Sequence, residues 1–405
     1  MNPTSNKKSR IAKDTNNPKL SFACPLCGNT DPRLIGLLNG KPYCRRCISF
    51  KGEEAELKPL YPKKAPIRLS YELSPEQKQL SDKLVENYKN GIDTLVYAVC
   101  GSGKTEISYA LISYALSKGQ TVGFALPRRD VVIELYGRIR EVFPRNTIIP
   151  VYGGHTSKLE GDCIILTTHQ LYRYPHYFDL LIMDEIDAFP FKDSEVLHAF
   201  YKNSMRGHCL LMSATPSKKV VDEFKGEGKD ILTLHTRFHK KPIPVPRTIL
   251  SISYGKFIEL VKILKRFVKE KKPVMVFVPT IYMSIRLWRW LSLFVKHGTY
   301  INSKRCNRDL LIADFKKGVY QYVVTTAVLE RGVTVKNCQV VVYNADDRIY
   351  SSATLIQISG RAGRKIDAPN GEVIFIAEEK TKEIENAIHE IEYCNSFLQG
   401  VHEKF

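Results

Sequence analysis

From Thr94 onward the chain alternates short apolar runs, rich in β-branched residues, with longer stretches whose apolar positions recur at helical spacing. TLVYAVC gives way to EISYALISYALSKG and TVGFALP to RRDVVIELYGRIREVF; DCIILTT, DLLIMDE and HCLLMSAT follow. Strands that are apolar at every position are buried on both faces, which predicts a parallel sheet covered by helices on both sides. HKKPIPVPR, from His239 to Arg247, breaks the pattern with proline and charge. The alternation then resumes through VMVFVPT, IYMSIRLWRWLSLFVKHG, YQYVVTT, QVVVYNA, SSATLIQ and EVIFIAE. The pattern predicts an α/β protein of two tandem doubly wound parallel-sheet domains, residues 71–238 and 248–405, joined by a stiff linker at 239–247. Trp288 and Trp290 stand two positions apart on one predicted helix, so one is expected in the core and the other outside.

Before this region the periodicity is weak. Residues 51–70, KGEEAELKPLYPKKAPIRLS, read as a linker, and residues 1–19 as a disordered tail. Between them, at 20–50, lies CPLCGNTDPRLIGLLNGKPYCRRC, in which Cys24 and Cys27 form one C-x-x-C and Cys44 and Cys47 a second. That spacing predicts a small zinc-binding module. Two intervening residues let one turn present both sulfurs to one ion, and Gly28 frees the backbone where the turn leaves the metal. Four thiolates leave no open coordination position, so the site is structural; a redox dithiol is the competing reading. Lys41, Arg45 and Arg46 lie on the same loops and suit contact with nucleic acid or a partner protein. The other six cysteines are scattered and expected to fill cores.

Composition narrows the partner. Of 405 residues, 61 are Lys or Arg against 42 Asp or Glu, a formal charge of +19. Such an excess favours a polyanion, with nucleic acid ahead of anionic lipid. The opening MNPTSNKKSR has charge but no apolar core behind it, so no secretory signal is expected. No apolar run is long enough for a transmembrane segment, and the expected location is cytoplasmic.

The candidate chemistry begins at AVCGSGKT, residues 98–105. It fits the P-loop spacing G-x-x-x-x-G-K-[ST] with Ala98 in place of the first glycine. Gly101 and Gly103 let backbone N–H groups turn inward to phosphate oxygens, Lys104 neutralises the β and γ phosphates, and Thr105 offers a hydroxyl to magnesium. Asp184 and Glu185 end LLIMDE, putting two carboxylates at the carboxyl end of a buried strand, where open α/β sheets bind ligands. One can hold magnesium through water while the other orients and deprotonates the attacking water.

The ordered set resembles superfamily 2 helicases over residues 71–378: Gln77 in LSPEQ, the P-loop, DEID at 184–187, SAT at 213–215, TTAVLERGV from Thr325 and QISGRAGR from Gln357. Together with the four-cysteine module, DEIDAFP and TTAVLERGVT resemble the late competence ATPases of the ComFA type. The resemblance implies two RecA-like domains and a motor using ATP, Mg2+ and Zn2+. It implies that this motor drives single-stranded DNA into competent cells, at the inner face of the membrane beside an uptake channel and other competence proteins. By the same resemblance Gln77 reads adenine, and Ala98, Val99, Cys100, Gly101, Ser102, Gly103, Lys104 and Thr105 cradle the nucleotide. Magnesium falls to Thr105 and Asp184, the general base is Glu185, Arg361 and Arg364 are arginine fingers, and Gln357 positions water. DNA contacts are implied at Pro127, Arg128, Arg129, Thr167, Thr168, His169, Thr280, Thr325 and Thr326.

Departures from the pattern are Ala98, Asp187 where the DEAH subgroup has histidine, and the absence of PTRELA and of the aromatic box of RNA helicases. With no large insertion to act as a wedge, translocation is expected rather than unwinding. A replication-restart helicase, or a zinc-bearing nucleic-acid binding protein with weak ATPase, are the alternatives.

Overall fold

The computed structural model describes residues 22–99, 101–226, 228–237, 240–326, 335–364, 368 and 370–399. Among these, every strand belongs to one of three sheets. The predicted tail and Cys100 lie outside the described residues, as does most of TTAVLERGV.

The smallest sheet is an antiparallel ribbon, β1 (Ile35–Leu38) and β2 (Lys41–Cys44). The first large sheet holds β3 (Asp93–Ala98), β4 (Val122–Leu126), β5 (Ile148–Val151), β6 (Cys163–Thr167), β7 (Phe178–Asp184), β8 (Met205–Ser213) and β9 (Lys229–Leu234), in the order β5-β6-β4-β7-β8-β3-β9. The second holds β10 (Arg247–Leu250), β11 (Val274–Phe277), β12 (Gly298–Ile301), β13 (Tyr322–Thr325), β14 (Gln339–Tyr343) and β15 (Val373–Ala377), in the order β10-β15-β14-β11-β13-β12. All pairings within the two large sheets are parallel. β4, β6, β11, β13, β14 and β15 are buried at every position, as expected of central strands clothed on both faces.

The helices follow in chain order. Six belong to the first lobe: α1 (Pro75–Lys89), α2 (Lys104–Ile107), α3 (Tyr109–Ser117), α4 (Arg129–Val142), α5 (Glu195–Ser204) and α6 (Lys218–Glu223). The second lobe has α7 (Ser253–Lys269), α8 (Ile281–Ser292), α9 (Arg308–Lys316), α10 (Ser352–Ser359) and α11 (Lys382–Ser396). Their starts are written in the chain: Ser74, Ser194, Thr280, Ser351 and Thr381 each accept a backbone N–H as N-cap, and Gln77 completes a capping box at α1. Trp288 packs on the second core with its Nε1 donating to Gly298 O at 3.0 Å, while Trp290 is 53% exposed. Among the described residues no helix is long and apolar enough to cross a membrane.

The stretch expected to be a linker at 51–70 has no helix or strand, yet it is tied along the first lobe. Ala55 N donates to Arg173 O at 2.7 Å, Lys63 pairs with buried Asp162 at 3.1 Å, Ser113 Oγ donates to Ala65 O at 2.6 Å, and Arg68 N to Val142 O at 3.1 Å. An extended strap bound by its main chain carries no periodic signal, and for that reason it resembles a free linker in sequence. The second break is also anchored: Asn395 of α11 exchanges two hydrogen bonds of 2.8 Å with the backbone of Ile243. Around it Val99, Ile243, Ile391 and Cys394 form a small apolar cluster that joins the lobes, and Tyr97 of β3 donates to Glu390 of α11.

Candidate nucleotide site and nucleic-acid edge

β3 ends at buried Ala98 and Val99, and the loop beyond it turns through Gly101 at φ +83° and Gly103 at φ +85°. Both values lie in the left-handed region, and at Gly103 a Cβ would sit 2.3 Å from Gln77 Nε2. The loop is held from outside by Gln77, whose Nε2 donates to Ser102 O at 2.7 Å while its Oε1 accepts from Ser74 N at 2.9 Å. Gln77 thus fastens the loop to α1. Lys104 Nζ reaches back to Ala98 O at 3.0 Å, spanning the cradle, and Thr105 stands beside it on α2.

Asp184 and Glu185 face this loop from the end of β7, two strands away in the sheet. Burial pushes the Asp184 carboxyl up to about 6, opposed by nearby Lys104 and reinforced by the Glu185 charge. Glu185 adopts φ +58°, costly for a residue with a Cβ, and its backbone N donates to Asp184 Oδ1 at 2.8 Å. Desolvated carboxylates beside a lysine and a threonine hydroxyl make a donor set that suits a divalent cation with a phosphate chain. The residues therefore fit Mg2+ and ATP.

Lys104, Asp184 and Glu185 line a cavity of about 790 Å³ together with Gln357, Arg361 and Arg364 of the second lobe. The two lobes close over one space. Arg361 is buried, and the turn that carries it follows α10, with Gly363 at φ +61°. Asp187 connects these parts: it accepts from Ser213 Oγ and Thr215 Oγ1, both at 2.8 Å, and from Gln357 Nε2 across the lobes. Gln357, expected to position water, donates through its Nε2 to Asp187 in this arrangement.

The residues expected to touch DNA all lie at carboxyl ends of parallel strands. Pro127 to Arg129 follow β4, Thr167 to His169 close β6, Thr280 follows β11, and Thr325 and Thr326 close β13. β4 neighbours β6, and β11 neighbours β13, so each lobe presents one contiguous edge beside the nucleotide cavity rather than within it. Their exposures differ. Arg129 and Thr280 are exposed, Arg128, His169 and Thr326 half-buried, and Pro127, Thr167, Thr168 and Thr325 buried. Thr168 and Thr325 are turned fully inward, the latter donating to Thr326 O at 3.2 Å, so their hydroxyls do not meet solvent. Arg308 of α9 reaches Asp130 of α4 at 3.5 Å, a bridge between lobes next to Arg129.

This chain is similar to known proteins along most of its length. Residues 70–218 match the family model "Type III restriction enzyme, res subunit", and residues 255–365 match "Helicase conserved C-terminal domain". The competence protein ComFA of Bacillus subtilis (strain 168) is 32% identical over 95% of this chain and 88% of its own. That of Streptococcus pneumoniae (strain ATCC BAA-255 / R6) is 30% identical over 92% and 90%. The chain belongs to the ComFA family. In fold it is similar to S. cerevisiae Dbp5 bound to RNA and ADP BeF3, with a TM-score of 0.62, 17% identity and coverage of 80% of this chain and 92% of that one. As a member of the ComFA family with both helicase-type domains, it is an ATP-dependent nucleic-acid motor.

The four-cysteine cluster of this ComFA-family chain also takes shape. The Sγ atoms of Cys24, Cys27, Cys44 and Cys47 lie within 4.8 Å of one another, with Cys27 and Cys44 at 3.7 Å. Four thiolates around zinc at about 2.3 Å stand about 3.8 Å apart, so the cluster fits that ion. Gly28, at φ +67°, donates its N–H to Cys24 O at 2.8 Å, closing the turn that presents the first pair. Burial pushes the Cys27 thiol up to about 11, so binding of a cation at this cluster would be coupled to loss of the thiol protons.

The module sits on the first lobe. Phe50 packs edge-on to Phe200 at 4.9 Å and to Tyr172 at 5.7 Å, and stacks toward His169 at 6.4 Å; Asn203 Nδ2 donates to Leu26 O at 2.8 Å. Its foothold is the 3-10 segment Thr168–Arg173, which begins with residues expected to touch DNA. Among the remaining cysteines, Cys163, Cys209, Cys338 and Cys394 are buried as expected, but Cys306 is exposed and fills no core. Phe50 and Arg308 were not singled out in the sequence, and Asp187 only as a departure from the DEAH pattern, with no role assigned to it.

Proposed function

We propose that this chain hydrolyses ATP between its lobes to move along single-stranded DNA, and that the movement serves DNA uptake in natural transformation. The cavity shared by Lys104, Asp184 and Glu185 with Arg361 and Arg364 carries the reading. Backbone N–H groups of the 98–105 loop and Lys104 hold the phosphates. Thr105 and Asp184 would hold magnesium, which would supply charge neutralisation to the phosphate chain. Glu185 accepts the proton of the attacking water. Arg361 and Arg364 stabilise the charge developing at the γ-phosphate, a contribution of about three to five orders of magnitude in related NTPases.

Loss of the γ-phosphate removes what draws the arginines inward. The Asp187–Gln357 contact then transmits the relaxation to the strand-end edges, because β7, which leads into Asp187, neighbours β4. Contacts at these edges that go to phosphates rather than bases give sequence-independent tracking. The expected partners are the strand itself, a membrane uptake channel and other competence proteins, with the chain cytoplasmic and peripheral at the inner membrane face. Support comes from the competence proteins it resembles and from its charge of +19.

The test is phosphate release by the purified full chain with single-stranded DNA, duplex DNA or RNA. Single-stranded DNA is expected to stimulate most. Stronger stimulation by duplex or branched DNA favours a restart-type helicase, and no stimulation by any of them favours a zinc-bearing binding protein.

A further inference from the structure

Arg237 stands just after β9, and only 2% of it is exposed despite its charge. Its Nη1 donates to Gly363 O at 3.0 Å and to Ala362 O at 3.2 Å, and its Nη2 to Gly360 O at 3.4 Å. The Gly360 and Ala362 carbonyls flank Arg361 and the Gly363 carbonyl directly precedes Arg364, so one guanidinium of the first lobe grips the turn that carries both arginines of the second. The other side of Arg237 lies against the P-loop: a Cβ on Gly101 would stand 3.8 Å from Arg237 Cγ. A single buried side chain thereby spans the phosphate cradle and the arginine turn.

Its chemistry suits that place. The carbonyls lie at the C-terminal end of α10 and just past it, where the helix ends in partial negative charge and unpaired acceptors. A planar fork of donors can meet several such oxygens at once, which an ammonium cannot do. The turn is shaped for it by Gly363 in the left-handed region, a conformation that strains any other residue.

We infer that Arg237 is a positioning residue: it sets the Gly360–Arg364 turn against the nucleotide cavity, so that Arg361 and Arg364 reach the γ-phosphate only while this clasp is made. The inference rests on the shared-cavity reading above.

The experiment uses the full chain carrying Arg237→Gln, Arg364→Ala or both together (the double variant), with Lys104→Ala alongside. Two affinities are measured for each, for ADP alone and for ADP with magnesium and beryllium fluoride, which imitates the γ-phosphate. In Arg237→Gln the affinity for ADP is expected to stay within about twofold of wild type. The preference for the beryllium fluoride complex is expected to fall by at least the factor seen in Arg364→Ala, because Arg361 is displaced as well, and no further in the double variant than in Arg237→Gln alone. DNA-stimulated kcat falls at least tenfold with KM for ATP little changed.

A multiplicative loss in the double variant, or a loss of ADP affinity, makes Arg237 a general support of the P-loop and overturns the inference. So does a wild-type preference. If Arg237→Gln does not fold, Arg237→Lys keeps a buried cation without the fork and is read through the same cycle. Hydrolysis that survives Lys104→Ala removes the shared-cavity reading itself. Loss there with normal turnover in Arg237→Gln removes only this proposal.

Discussion

Lys104 and Asp187 show how single side chains divide the work. Lys104 spans the cradle to Ala98 O, so its ammonium is aimed across the loop. Lys104→Ala is expected to lower DNA-stimulated hydrolysis at least 100-fold, with single-stranded DNA affinity within about threefold of wild type; phosphate release and fluorescence anisotropy measure the two. Asp187 gathers three donors from SAT and the second lobe. Hydrogen bonds to a charged acceptor are worth about 1.5–3 kcal/mol each, so Asp187→Asn, which also sets two amides against each other, is expected to cut stimulated hydrolysis at least tenfold. DNA stimulation, read as the ratio of rates with and without DNA, should fall toward one. The role of Lys104 was legible in the P-loop spacing, whereas that of Asp187 was not. DEID marks Asp187, but its partners stand 26, 28 and 170 positions away, distances that only the folded lobes bring together.

At the level of elements, the two sheets were legible because strands buried on both faces are apolar throughout and separated by helices of clear period. The bound strap at 51–70 was not, since a segment held by its own carbonyls and by scattered lysines leaves no periodic trace. Nor was the burial of Thr168 and Thr325, because threonine is common both inside strands and at their ends. The four-cysteine module was legible as a ligand set suited to zinc but not as a buttress of the Thr168–Arg173 segment. That docking has a consequence. Phe50→Ala removes a ring packed on Phe200 and Tyr172 and is expected to destabilise the first lobe by about 2 kcal/mol, less than the roughly 3–5 kcal/mol for a fully buried ring. Removing the metal with a chelator, or changing Cys24 and Cys27 to Ser, is expected to lower the melting temperature and weaken single-stranded DNA binding while nucleotide affinity stays unchanged. Calorimetry and anisotropy distinguish these effects; a chain indifferent to chelation in both would contradict the buttress.

For the whole molecule, charge and closure are the governing quantities. With +19 spread over 405 residues, association with a polyanion draws much of its free energy from counterion release. If about four phosphates are neutralised, the affinity for single-stranded DNA is expected to fall roughly 30- to 50-fold between 50 and 200 mM salt. Closure depends on two lobes meeting over one space, with an amine and two acids from one side and guanidinium groups from the other. The most direct measurement is the steady-state rate of ATP hydrolysis with saturating single-stranded DNA for Arg364→Ala, paired with its affinity for ADP. A fall in kcat of about a thousandfold with ADP affinity nearly unchanged is the expected result; a kcat within a few-fold of wild type would contradict the shared site.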